Sequence, residues 1–125
     1  VKRSFPLIQL SREHHTALVL AKRAGTCVGD AAASAALLSR INSEYAPDLL
    51  AHFATEEREL PGVVAPIAPS LILRLFNEHS QLRAFLARIH AGDVTALQPF
   101  GELLAAHVRF EERELFPCFE TTSNN

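Results

Sequence analysis

One nine-residue pattern, His-x-x-x-Glu-Glu-Arg-Glu-Leu, occurs twice in the chain, as HFATEEREL from His52 and as HVRFEEREL from His107. Agreement at six aligned positions is not a chance event, so the repeat reflects duplicated architecture, duplicated chemistry or both. A histidine and a glutamate four residues apart lie about 40° apart on an α-helix, separated by one turn. Leu49 and Leu60 share the stripe of His52 and Glu56, and Phe100, Leu104 and Leu115 share that of His107 and Glu111. Each His/Glu pair therefore sits on an apolar face that should turn inward. A carboxylate on such a face is costly unless it is paired, protonated or bound to a metal.

The rest of the chain also reads as helix. Leu, Ala, Arg and Glu dominate, and β-branched residues are scattered. Ser11 is positioned to cap a first helix carrying REHHTALVLAKRAG, with Gly25 and Gly29 at its fraying end. A second helix is expected over residues 31–60, weakened or kinked at Pro47, which lacks the N–H that a helix interior needs. The proline-rich LPGVVAPIAP reads as the longest non-helical link. Ser70 opens a third helix, LILRLFNEHSQLRAFLARIHA, and Asp93 caps a fourth from Val94 to about Phe116, with Pro99 in its first turns. Short links make consecutive helices antiparallel. The expectation is an all-α, up-down-up-down antiparallel four-helix bundle forming a single domain over residues 1–125. The halves echo each other here too, since REHHTALVLAKR heads one hairpin and NEHSQLRAFLAR the other.

Composition narrows the functional classes. A formal charge of −2 gives no footprint for nucleic acid or an anionic membrane surface. No apolar run approaches the ~20 residues of a membrane span, and no signal peptide opens the sequence. Cys27 and Cys118 accordingly read as free thiols in a reducing, cytoplasmic setting. The absence of methionine, even at the start, implies that residues precede Val1 in the translated chain.

The other two helices add inward histidines. His79 falls with Phe76, Leu82 and Leu86, and His14 with Leu7, Leu10, Leu18 and Ala21. His15 is rotated about 100° from His14, toward the edge of that stripe. His14 is preferred because it falls at the centre of that stripe and because Glu13-His14 matches Glu78-His79; the rival alignment places Leu18 three residues after His15, as Leu82 follows His79. The candidate ligands are thus His14 or His15, His52, Glu56, His79, His107 and Glu111. Imidazole and carboxylate together suit iron, manganese or zinc, and two carboxylates can bridge a metal pair. Six ligands exceed the four of a structural zinc site, and cysteine is missing from the set. Glu57, Arg58, Glu112 and Arg113 read as solvated faces making intrahelical pairs, and Glu59 and Glu114 as surface ion pairs. His90, three turns beyond His79, reads as structural.

This constellation resembles the hemerythrin-like family, the HHE cation-binding domain, from LSREHHTALVLAKR through HFATEEREL and NEHSQL to HVRFEERELFP. The resemblance implies two iron ions in an oxo- or hydroxo-bridged diiron centre within the bundle. His14 and His52 would hold one ion, His79 and His107 the other, and Glu56 and Glu111 would bridge them. The chain departs from the oxygen-carrying members at Leu75, where they have a further histidine. It also has a glutamate four residues after the last histidine, where they have an aspartate at five. The expected partner is dioxygen or another small ligand such as nitric oxide or peroxide, with any protein partner unspecified. A binding or sensing protein ranks ahead of a diiron enzyme that activates oxygen or peroxide or repairs nitrosative damage, because ferritin-like oxidases use more carboxylates.

Overall fold

The computed structural model describes residues 5–123, which are helical almost throughout and contain no strand. Helix α1 spans Phe5–Thr26. Helices α2 (Ala31–Arg40) and α3 (Ala46–Glu59) form one continuous rod, joined by a π-helical turn at Ile41–Tyr45. A short helix, α4 (Pro61–Val64), precedes α5 (Pro69–His90). The last rod comprises a 3₁₀ turn, α6 (Leu97–Phe110), a π-helical turn at Glu111–Leu115, and α7 (Phe116–Ser123). Four long rods result, consistent with a four-helix bundle.

Several boundaries differ from expectation for identifiable reasons. Ser11 does not cap α1, which already runs through it; its hydroxyl donates to Glu112 instead. The LPGVVAPIAP link is partly helical, because Pro61 and Pro69 sit at helix starts, where their missing N–H costs nothing. Helix α5 thus opens at Pro69 rather than Ser70. Pro47 does not break the second rod. The turn before it widens, and the Ala46 amide reaches back to Ile41. Pro117 is accommodated in the same way, with the Phe116 amide donating to Glu111, so the fourth rod continues to Ser123 rather than ending at Phe116. Asp30 and Asp93 act as caps, accepting from the amides of Ala33 and Thr95. Each follows a glycine at positive φ, 85° at Gly29 and 93° at Gly92, a conformation that glycine adopts without penalty.

The core consists of two apolar plugs. One gathers Leu20, Ile41, Phe53, Leu86, Ile89 and Phe100 among others; the second contains Leu7, Leu10, Leu60, Leu75, Leu115 and Phe116. Between them lies a buried polar layer to which each rod contributes a histidine: His14, His52, His79 and His107. Two stripes drift from the expected faces. Leu18 and Phe76 are exposed, at 40% and 43%, and the inward positions pass through Ala17 and Leu75 instead. Both cysteines are free thiols. Among the described residues, no helix is long and apolar enough to cross a membrane.

Helices α1 and α6 pack tightly at Gly101. A Cβ built on Gly101 would lie 2.7 Å from the carbonyl oxygen of Ala21 and 2.9 Å from the Ala24 Cβ. Backbone cannot yield as a flexible side chain would, so the better helix propensity of alanine, worth about 1 kcal/mol, is outweighed by overpacking. Gly101→Ala should lower stability by about 1–2 kcal/mol and the melting temperature by several degrees. A thermal melt in which the variant equals or exceeds the parent would show that the helices can separate freely.

Candidate metal centre

The layer between the plugs is built on two carboxylates. Glu56 and Glu111 are fully buried, each one helical turn beyond a histidine of its own rod. His52 Nε2 lies 3.1 Å and His79 Nε2 3.0 Å from Glu56 oxygens. His14 Nε2 lies 2.8 Å and His107 Nε2 3.3 Å from Glu111 oxygens. Each carboxylate thus meets one histidine of its own rod and one from another rod, and Glu56 also lies 3.8 Å from His14 Nε2. The ligand atoms form two groups, His14/His52/Glu56/Glu111 and Glu56/His79/His107/Glu111. Within each group they lie within 4.8 Å of one another, and both carboxylates belong to both groups.

A ring of outer carboxylates orients the imidazoles. The Nδ1 atoms of His14 and His79 stand 2.6 Å from Glu112 and Glu57, and those of His52 and His107 stand 2.7 Å from Glu13 and Glu78. An ionised carboxylate only accepts, so each Nδ1 carries the proton and donates it outward. In the neutral form of each ring the Nε2 lone pair then faces inward, the tautomer a metal requires. The outer partners have further contacts. Arg83 donates to both oxygens of Glu57, at 2.7 and 3.1 Å, and Arg74 to Glu78 at 2.9 Å. Ring stacking fixes two of the planes, Phe53 on His79 at 4.4 Å and Phe116 on His14 at 5.2 Å.

Four of the expected solvated positions therefore divide. Arg58 and Arg113 are exposed, but Glu57 and Glu112 are not the intrahelical surface pairs that the spacing suggested, since they hold His79 and His14. A signal for them exists in the sequence. A glutamate adjoins a ligand in Glu13-His14, Glu56-Glu57, Glu78-His79 and Glu111-Glu112, and a ligating imidazole needs an acceptor at its second nitrogen. His14 lies in the layer, whereas His15 is exposed and belongs to neither ligand group; a rotation of one residue carries it off the inward face. Glu59 and Glu114 are exposed and pair with Arg58 and Arg74, and His90 is exposed at the end of α5.

The electrostatics of the layer call for positive charge. Burial, then the neighbouring charge of Glu111, pushes the Glu56 carboxyl well above the usual range. Burial also opposes charge on Glu111, but the carboxyl of Glu56 and the imidazoles of His107 and His14 hold it well below that range. Burial likewise disfavours a charged His107, yet Glu111 and Glu78 carry its pKa up to about 9. His79, dominated by burial and by the charge of His107, falls to about 4. Glu56 Oε2, Glu111 Oε2 and His107 Nε2 are buried without a hydrogen bond. Inward lone pairs on nitrogen and oxygen at such distances repel unless protons or cations lie among them. The donor set, imidazole and carboxylate without thiolate, fits a divalent cation of the iron, manganese or zinc type. A cavity of about 280 Å³ beside His52, between α1 and α3, is floored by Ala17, Leu20 and Leu49 and rimmed by Glu13, Thr16 and Asp48.

Fold and site together define a helical cation-binding domain. Comparison with protein-family models agrees, matching the hemerythrin HHE cation binding domain over residues 6–119. The chain belongs to that family. No match accompanies it among curated proteins or solved structures.

The shifts set a pH dependence for chelator-treated protein. With its pKa raised from 6.5 to about 9, His107 contributes stability that is full below pH 6.5 and lost as pH rises through 9. His79, lowered to about 4, acts in the opposite direction and costs stability as pH falls from 6.5 through 4. Above pH 6.5 the metal-free protein should therefore lose on the order of 3 kcal/mol from His107 by pH 9, and the raised carboxyl of Glu56 acts in the same direction. Melting curves across that range test this; a flat profile would mean that His107 does not hold the proton.

Proposed function

We propose that this chain is a non-haem diiron protein that binds or senses dioxygen or a related small ligand, nitric oxide or peroxide. The observation that carries this reading is the sharing of Glu56 and Glu111 by both ligand groups, which suits two neighbouring cations rather than one. In this reading His14 and His52 hold one ion, His79 and His107 hold the other, and the two glutamates serve both. The iron pair supplies reversible redox and small-molecule coordination. The protein contributes neutral nitrogen donors, the fixed Nδ1–H tautomer and a dry setting between apolar plugs. The cavity beside His52 offers a small ligand a way toward the layer. The chain works as one domain of up-down-up-down order in a reducing cytoplasm, where Cys27 and Cys118 stay as thiols.

Leu75 bears on the choice between binding and turnover. It is fully buried in the apolar plug one turn before His79, where it offers no lone pair. Two histidines per ion plus shared carboxylates leave coordination positions open to exogenous ligands. That openness favours reaction over long storage of oxygen and gives the second reading, an enzyme activating oxygen or peroxide, its support.

Protein grown with iron should contain about two iron ions per chain, with His14→Ala depleting iron and His15→Ala sparing it. Iron content at or below one per chain, or only zinc after growth on iron, would count against a diiron site. His52→Ala and His107→Ala should lose metal and also destabilise the fold by roughly 3–5 kcal/mol, because the central carboxylates lose their compensation.

Azide and nitric oxide should bind readily to the loaded protein. Stopped-flow mixing of reduced protein with oxygen should give a spectral change that decays to the oxidised form. A product stable for hours and reversed by argon would instead identify an oxygen carrier.

A further inference from the structure

The duplicated halves place different residues behind equivalent carboxylates. Glu13 and Glu78 each precede a ligand histidine and each accept from Nδ1 of a histidine on another rod, at 2.7 Å to His52 and 2.7 Å to His107. Four residues before them, at matching positions, stand Gln9 and Arg74. Gln9 donates an amide N–H to Glu13 at 3.2 Å, and Arg74 donates a guanidinium N–H to Glu78 at 2.9 Å. The Arg74 side chain is also seated over the Phe110 ring at 4.2 Å, so its head is held in place. Solvent reaches the two carboxylates unequally, the Glu13 side chain being 42% exposed and that of Glu78 11%.

A carboxylate that accepts Nδ1–H makes the imidazole more basic and a stronger donor through Nε2. A guanidinium behind the carboxylate draws its charge away and weakens that effect, and charge-assisted bonds of this kind are about twice as strong as neutral ones. An amide draws off much less. Water at Glu13 also solvates the carboxylate, but a mobile neutral dipole competes poorly with a fixed cation at 2.9 Å. We infer that residues 9 and 74 tune His52 and His107 through their Nδ1 partners, Gln9 leaving Glu13 to strengthen His52 and Arg74 drawing charge from Glu78 and so weakening its support of His107, apart from what the central Glu111 adds at His107. The two cation positions are therefore unequal although the ligand types repeat. Gln9 and Arg74 act as positioning residues that touch neither cation position directly. The inequality rests on the cation site itself; its redox consequence, a lower potential when carboxylate charge is left uncompensated, rests additionally on the proposed iron pair.

Zinc-loaded protein, which is diamagnetic, tests the inequality by NMR of the imidazole Nδ1–H protons. The His52 proton should resonate downfield of the His107 proton, as befits the stronger hydrogen bond. Arg74→Gln should move the His107 proton downfield, Gln9→Arg should move the His52 proton upfield, and the double exchange should reverse their order. Arg74→Lys, which keeps the charge, should stay close to the parent and so separates charge from lost packing on Phe110. Arg58→Leu, which removes an exposed charge paired with Glu59 and not with Glu13 or Glu78, should change neither proton. Coincident His52 and His107 resonances in the parent, or positions unmoved by the exchange, would overturn the proposal. In iron-loaded protein, Arg74→Gln should lower and Gln9→Arg raise a reduction potential; unchanged potentials at full iron content would also overturn it. The expected zinc spectra from a chain that fails to retain iron would uphold the inequality and reject the diiron reading alone.

Discussion

Two carboxylates with no access to solvent, Glu56 and Glu111, govern the rest of the molecule. Side by side in an apolar interior they repel each other and cannot both stay charged without compensation. The surrounding shells provide it in alternating sign. Four imidazoles point Nε2 inward, four outer carboxylates hold the opposite nitrogens, and Arg74 and Arg83 hold two of those carboxylates. Removing any shell exposes the one inside it to an unpaired charge, and this dependence is what makes the layer specific for a cation.

The scaffold serves that layer by keeping water away from it along the bundle axis. Apolar plugs close it above and below, and each rod crosses it with its stripe in register: Leu10 and Ala17 flank His14, and Leu75 and Leu82 flank His79. The tight seam at Gly101 draws α1 against α6. That seam helps bring His14 within hydrogen-bond distance of both Glu111 and Glu112, which lie just beyond α6.

Periodicity made the helices and the inward histidines legible. The choice of His14 over His15 as the inward residue followed from projecting the Leu7, Leu10 and Ala21 stripe, although Leu18, counted in the same stripe, lies outside. What periodicity does not carry is a change of period. The π-helical turns before Pro47 and Pro117 each take up an extra residue, and a 3.6-residue projection continued through them loses phase. The fourth rod accordingly runs on past Phe116 and Pro117, with Phe116 and Phe119 buried. Glu57 and Glu112 escaped for another reason. Their role depends on atoms from a different rod, and the adjacent arginines supplied a plausible local partner.

The repeated Glu-Glu-Arg-Glu-Leu has a mechanical consequence. The same five residues end an ordinary α-helix at Glu56–Leu60 and form the widened turn at Glu111–Leu115, because proline follows the leucine directly in one copy and one residue later in the other. The central carboxylates consequently hang from unlike supports. Glu56 stands on a turn stiffened by the regular hydrogen-bond ladder, with the Leu60 amide bonded to its carbonyl. Glu111 stands at the mouth of a looser coil whose closing bond spans five residues. A cage with one firm wall and one compliant wall can follow a change in the size or charge of its contents by moving only one side.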